Sequence, residues 1–304
     1  MTLKDQTTRD IVFNVVRAKD YRHIIVGMIN DEFLQTAIDF FKKVVTAKLN
    51  SETITIDWYK EAFLNEKLSS IELATNAGLN MKTIQNIYRS GKRSIVIDAS
   101  NEHIDHLYES IKALIQENKD IDLTLTIKFN GVSVDLNVSE SLIVINTLAV
   151  KRASLRGGAW SAAGKSAEKN IMLALCKLYK VPEKYYNAEH FVKDRSKKVD
   201  REVDFYFKKG GVNKYRCEVK LMGMGNPESA DAIIARDSSL FVADTLSLQN
   251  KNQCDQRGIC WVELKTTDGY KRIKQAFDKF NIPYTDYNGN IDKDLPLILD
   301  ELFK

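Results

Sequence analysis

Asp204 is followed, after thirteen intervening residues, by Glu218-Val219-Lys220. Two carboxylates and an ammonium are groups that can hold a divalent cation and manage the proton of a water. They fall in stretches that read as strands, Val203 to Phe207 and Tyr215 to Met222. Side chains of a strand alternate between its two faces. In the second strand Arg216, Glu218 and Lys220 therefore share one face, and Tyr215, Cys217, Val219 and Leu221 share the other. Pairing the strands brings Asp204 and Glu218 together, with Lys220 one step along. Two carboxylates oriented together are costly without a cation, and hard oxygen ligands suit Mg²⁺. A lysine beside them can polarise a water or stabilise charge on a phosphate. Such a set is competent for metal-assisted phosphodiester hydrolysis. The same residues also suit an exposed strand face whose charges pair with one another, because Glu-x-Lys alone is common.

A third carboxylate, Glu168, lies in a helix predicted over 162–179. Ile171, Met172, Leu175 and Tyr179 follow it at helical spacing, so Glu168 heads the apolar face. A carboxylate there needs a partner, either a metal site or a lysine. Its place near the helix start, where the dipole favours negative charge, is the other reading.

A separate signal lies at 70–88. Counting Ser70 as one, Ala74 is fifth, Gly78 ninth, Ile84 fifteenth and Ile87 eighteenth. That is a helix-turn-helix pattern: small where the helices cross, Gly in the turn, apolar on the inner face of the second helix. Lys82, Gln85 and Asn86 face outward, and Arg89, Lys92 and Arg93 follow. These side chains suit a duplex groove, and a plain helical hairpin fits the same spacing.

The elements that must position these residues change character along the chain. The first 118 residues read as helical, with amphipathic stretches at 31–48 and 101–118. Alternation then marks a β-hairpin over 121–138 with Asn130-Gly131 at its turn. Ser139 can cap a helix over 140–153. Beyond 160 the pattern is mixed. Residues 208–214 form a plausible hairpin loop. Asn226-Pro227 opens a helix running to about Arg236, and 240–243 and 259–264 are buried-strand candidates. Helices over 268–280 and 295–303 close the chain. The expected fold is α+β (mixed α/β), divided as a helical domain over 1–118, a hairpin and connecting helix over 119–150, and a catalytic core over 151–304.

The 304 residues are 44% hydrophobic and 28% charged, an ordinary globular composition. No apolar run approaches the ~20 residues of a membrane span. Four cysteines without a Cys-x-x-Cys pair, and four histidines, give little support to structural zinc or a disulfide framework. The first ten residues lack the apolar core of a signal peptide, so a cytoplasmic location is the expectation. Residues 1–150 hold 17 basic and 20 acidic side chains, whereas 151–220 hold 18 basic and 8 acidic. A basic block of that size can contact phosphates, or be a solvated face. No dinucleotide or phosphate-loop motif accompanies a strand-to-helix turn, which argues against a nucleotide-using metabolic enzyme.

Asp204 with Glu218-Val219-Lys220 resembles the P-D…(D/E)-x-K pattern of type II restriction endonucleases, with Val203 where the proline usually stands. The stretches Leu155 to Glu168 and Glu218 to Asp231, with Phe241-Val-Ala-Asp244 and Trp261-Val-Glu-Leu264, resemble the CfrBI-type restriction enzymes. The resemblance covers roughly 150–265. It implies a Mg²⁺-dependent nuclease core of mixed β-sheet flanked by helices. Asp204 and Glu218 would bind metal, Lys220 would assist the water, and Glu168 would be the helix-borne acid. The segment after the catalytic strand would approach DNA, offering Asn226, Glu228, Ser229, Asp231 and Arg236 to base edges. Gly223 and Gly225 would permit close backbone approach, or simply turn a strand into a helix. The implied partners are double-stranded DNA, a second copy in a homodimer and a DNA methyltransferase of the same system. A helix-turn-helix regulator with an inert nuclease-like domain, and a structure-directed repair nuclease, stay open as alternatives.

Overall fold

The structure is a computed structural model that describes residues 2–118, 120, 123–188, 204–221 and 237–304. The expected helix over 226–236, and with it Gly223, Gly225, Asn226, Glu228, Ser229, Asp231 and Arg236, lies outside the described residues. Among these residues the fold is mixed α+β, with a helical N-terminal region. Ten helices accompany a two-stranded and a five-stranded sheet. The contacts divide the chain into two compact units, one of residues 27–159 and one of residues 1–26 with 160–304.

The helical unit contains most of α2 (Arg22–Leu49), then α3 (Ile56–Phe63), α4 (Ser70–Asn76), α5 (Met81–Tyr88) and α6 (Arg93–Glu117). Polar caps start the short helices. Thr55 accepts from the Trp58 N–H, Ser69 and Glu72 form a reciprocal capping box, and Asn80 accepts from the Thr83 N–H. α4 ends in a Schellman turn, in which Gly78 has φ +79° and the Leu79 N–H donates to the Ala74 carbonyl at 2.8 Å. Leu73, Ala74, Ile84 and Val96 are buried in one core with Phe40, Val44 and Tyr59. The spacing puts Ile87 on the inner face, but the structure leaves it 65% exposed. α5 ends one residue later, where Arg89 turns left-handed, so Ile87 lies past Ile84, the one buried residue of that helix.

Gly78 has a second reason to lack a side chain. A Cβ there would lie 2.1 Å from Cγ1 of Val150. Left-handed backbone and a methyl clash act in the same direction, so Gly78→Ala is expected to destabilise the protein by about 2 kcal/mol or more. Urea unfolding followed by circular dichroism measures this; a loss below about 0.5 kcal/mol would show that the chain around Val150 yields freely at this point.

The hairpin forms as the sequence predicts. β1 (Leu125–Phe129) pairs antiparallel with β2 (Val132–Leu136), and Asn130 and Gly131 both have positive φ. The chain then enters α7 (Val138–Leu178). Here the sequence expectation is corrected twice. The cap is Asn137 rather than Ser139, because the Asn137 side chain accepts from the Glu140 N–H and Glu140 accepts from the Asn137 N–H, each at 3.0 Å. The helices expected over 140–153 and 162–179 are one helix of 41 residues, since Gly157 and Gly158 carry helical backbone and no proline intervenes.

The second unit is built on a sheet of order β3 (Tyr186–Asn187), β4 (Phe205–Lys209), β5 (Val212–Lys220), β6 (Leu240–Ala243) and β7 (Cys260–Glu263). The β3–β4 and β4–β5 pairs are antiparallel, whereas the β5–β6 and β6–β7 pairs are parallel. The loop expected over 208–214 is instead a two-residue turn. Gly210 and Gly211 both have positive φ, the geometry a tight hairpin requires, so pairing extends to Lys209 and Val212. Phe207 packs on Phe277 and Phe280 of α9 (Ile273–Phe280), and Tyr215 stacks on Phe280 at 4.2 Å. Phe241, on the opposite face, packs with Cys254 of α8 (Leu248–Gln256) and with Trp261. All four residues of β6 are buried, as a central parallel strand covered on both sides requires. α1 (Leu3–Val16) is tied to α10 (Ile291–Leu302) through Arg9–Asp300 and Arg17–Asp292.

Candidate active site

Asp204, Glu218, Lys220 and Glu168 come together beside the end of β5. Asp204 lies immediately before β4, and its Oδ2 accepts from the Val219 N–H at 2.9 Å. That bond fixes it beside Glu218, because Phe205 pairs with Cys217. Glu218 and Lys220 share one face of β5, as the alternation predicts. Lys220 Nζ stands 2.9 Å from Glu218 Oε1, 3.6 Å from Asp204 Oδ2 and 3.8 Å from Glu168 Oε1.

Each carboxylate arrives from a different piece of the chain. Glu218 is fully buried within the sheet, flanked across the parallel pair by Phe241. Glu168 projects from α7, where Ile171, Met172 and Leu175 are wholly buried, so the apolar face expected of this helix does carry the acid inward. The Leu221 N–H donates to Glu168. Burial pushes the Glu168 carboxyl up to about 7, the Lys220 charge opposes this, and Asp204 and Glu218 reinforce it. Lys220 has the complementary balance. Burial favours its neutral form, but the three carboxylates outweigh that and hold its pKa above the ordinary lysine value. The ammonium therefore stays charged.

Among the described residues no three acidic, histidine or cysteine side chains are already set around a common metal position. The three carboxylates surround an ammonium instead. Three carboxylates offer hard oxygen donors in a largely buried place, and such a donor set fits a divalent cation.

Two further carboxylates stand at the ends of the neighbouring strands. Asp244 is 1% exposed, and its N–H donates to the Lys220 carbonyl at 3.3 Å. Its Oδ2 accepts from the hydroxyl of Tyr21 at 3.0 Å. Glu263 accepts from the Leu246 N–H at 2.9 Å and pairs with Lys251 at 2.6 Å. Sequence reasoning did not single these pairings out. An acid closing a buried apolar strand was the available signal, but Tyr21 and Lys251 are remote or unpatterned in sequence. Tyr21→Phe removes one donor from a buried carboxylate and is expected to cost about 1–3 kcal/mol. Thermal unfolding checks this, and an unchanged midpoint would mean that Asp244 is held without Tyr21.

On the helical unit, Lys82, Gln85, Asn86 and Arg89 are exposed along α5. Arg93 is engaged otherwise, its guanidinium donating to the backbone carbonyls of Glu66 and Leu68. Among the described residues no helix is long and apolar enough to cross a membrane.

No curated protein and no solved structure matches the chain. One family model does, over residues 5–251, and it describes the CfrBI restriction endonuclease family. The match runs through both units and spans Glu168, Asp204, Glu218 and Lys220 together. The chain belongs to the CfrBI restriction endonuclease family and is a nuclease acting on DNA.

Proposed function

We propose that the chain is a Mg²⁺-dependent endonuclease that cuts double-stranded DNA at a specific sequence. In this reading it works in the cytoplasm as a homodimer, beside a DNA methyltransferase of the same restriction–modification system. The observation that carries the catalytic part is the convergence of Asp204, Glu218 and Glu168 on Lys220. Asp204 and Glu218 would hold the ion, since one is tied to the β5 backbone and the other is fixed in the sheet. A bound Mg²⁺ supplies positive charge for the scissile phosphate and makes a nearby water easier to deprotonate. Lys220 keeps its proton, donates to the attacking water or the phosphate oxygen, and opposes the charge that develops there. Glu168 holds Lys220 turned toward the site.

Sequence recognition is assigned to two surfaces. α4 and α5 act as a DNA-binding helix-turn-helix, with Lys82, Gln85, Asn86 and Arg89 toward the duplex and Arg93 supporting the turn before α4. Asn226, Glu228, Ser229, Asp231 and Arg236 offer amide, carboxylate and guanidinium groups to base edges near the cut. A homodimer follows from the need to cut both strands of a near-palindromic site.

Binding to duplex DNA across a salt series tests the role of α5. Replacing Lys82, Gln85, Asn86 and Arg89 together by alanine is expected to weaken binding at least about tenfold and to flatten the salt slope by about one unit per lost phosphate contact. These side chains are exposed, so folding should be unchanged. Unaltered affinity and slope would remove α5 from the DNA interface.

A further inference from the structure

β5 ends at Lys220, whose register partner Ala243 is the last residue of β6. One bond carries the pairing past that point. The Asp244 N–H donates to the Lys220 carbonyl at 3.3 Å, just beyond the usual range for such a bond. The next amide, the Leu221 N–H, donates to Glu168. The peptide unit between Lys220 and Leu221 is therefore held at both of its polar ends, by Asp244 on one side and by the helix-borne acid on the other. A strand end has little further ladder to fix it, so the placement of Lys220 depends on how firmly Asp244 is held.

Asp244 is held partly by its neighbours. Its carbonyl accepts from the Lys265 N–H at 2.8 Å, and its Oδ1 accepts from the Thr245 N–H at 2.9 Å. The contact with Tyr21 has a different origin. The Tyr21 hydroxyl donates to Asp244 Oδ2 at 3.0 Å across 223 residues of sequence, and both side chains are buried. Tyr21 lies in the same compact unit as the catalytic sheet, just before α2. Burial and the Asp244 charge raise the Tyr21 pKa, so the hydroxyl keeps its proton and acts as a fixed donor, not as a base. A buried hydrogen bond to a carboxylate is among the stronger ones a neutral hydroxyl makes.

We propose that Tyr21 is a positioning residue for DNA cleavage: through Asp244 it fixes the peptide unit between Lys220 and Leu221, and so keeps Lys220 and Glu168 in register with each other. This role rests on the reading of Lys220 and Glu168 given above. Without the hydroxyl, Asp244 loses the anchor that comes from outside the sheet, and the long bond to the Lys220 carbonyl is the first to yield. A shift of about 1 Å in a reacting group can cost about 10²-fold in rate. Tyr21 thereby bears on the rate of cleavage without touching the reacting atoms.

Single-turnover cleavage of plasmid DNA by the full chain tests this, at saturating Mg²⁺ and well below the melting midpoint of every variant, with duplex affinity measured in parallel. Tyr21→Phe is expected to slow cleavage at least about tenfold and to leave affinity within about threefold. Asp244→Asn keeps an oxygen that accepts from Tyr21, and is expected to stay within about threefold of the unaltered rate. Tyr21→Phe combined with Asp244→Asn removes the bond without leaving a buried carboxylate short of a donor. It supplies the rate where Tyr21→Phe alone folds poorly, and should be as slow. Unchanged cleavage without the hydroxyl, with Lys220→Ala inactive, would confine Tyr21 to stability and overturn the proposal while the catalytic reading stands. Asp244→Asn as inactive as Lys220→Ala would make Asp244 itself a reacting or metal-binding group, and would also overturn it. Full cleavage by Lys220→Ala would overturn the catalytic reading, and the role of Tyr21 with it.

Discussion

Lys220→Ala is expected to lower DNA cleavage about 10³-fold or more, while duplex binding stays within a few-fold of the unaltered protein. Lys220 lies 2.9, 3.6 and 3.8 Å from the three carboxylates, the cation that the described residues bring to all of them. It is both the donor that would meet the developing charge and the group that lets the acids share one place. The variant therefore carries a second signature. Without Lys220 the acids repel one another, so thermal stability in chelator should fall, and added Mg²⁺ should restore more stability than it does in the unaltered protein. Single-turnover cleavage and melting with and without Mg²⁺ measure both effects. Full cleavage by Lys220→Ala would remove the residue from the chemistry.

The second large effect is expected far from the chemistry, at Glu140. This carboxylate is 1% exposed and is satisfied on every side. It accepts from Lys48 at 3.0 and 3.1 Å, from the Ile54 N–H at 2.9 Å and from the Asn137 N–H at 3.0 Å. It thereby joins the end of α2, the entry to α3 and the cap of α7. Glu140→Ala leaves two backbone donors and an ammonium without their acceptor, and is expected to cost about 3–5 kcal/mol. Glu140→Gln keeps the shape but not the charge, and should lose part of this.

The pH dependence follows the same residue. Burial alone would raise the Glu140 pKa, but the two backbone donors and Lys48 prevail and hold it below the usual glutamate value. Its stabilisation is therefore fully present above the pKa of the unfolded chain. It is lost as pH falls through the lower, folded value. Urea midpoints between pH 7 and pH 3 should drop in the unaltered protein more steeply than in Glu140→Ala. Parallel curves would show that other groups govern acid unfolding of this unit.

Much of the candidate site is legible in the sequence. Strand alternation is strict, so the shared face of Glu218 and Lys220 could be read from spacing alone. Helical spacing likewise placed Glu168 on the inward side of its helix. The Asn130-Gly131 turn was equally readable, because few dipeptides adopt positive φ twice. Other features depend on tertiary context that local pattern does not carry. The continuity of α7 was hidden by Gly157 and Gly158, which weaken a helix without forbidding it. The burial of Glu140 rests on Lys48, 92 residues away in sequence. The exposure of Ile87 depends on where α5 stops. The engagement of Arg93 by two carbonyls depends on how the chain approaches α4, and charge type alone cannot separate such an anchor from a DNA contact.

The proposed activity is sequence-specific DNA cleavage whose metal-dependent chemistry runs through Asp204, Glu218 and Lys220. Digestion of a fully sequenced, unmethylated plasmid tests it most directly, with Mg²⁺ and with chelator, beside Asp204→Asn and Lys220→Ala. Discrete fragments that require Mg²⁺ and vanish in both variants are the predicted result, and sequencing their ends would give the recognition site. A Mg²⁺-dependent smear would contradict sequence specificity, and fragments that persist in chelator or in the variants would contradict the assignment of the site.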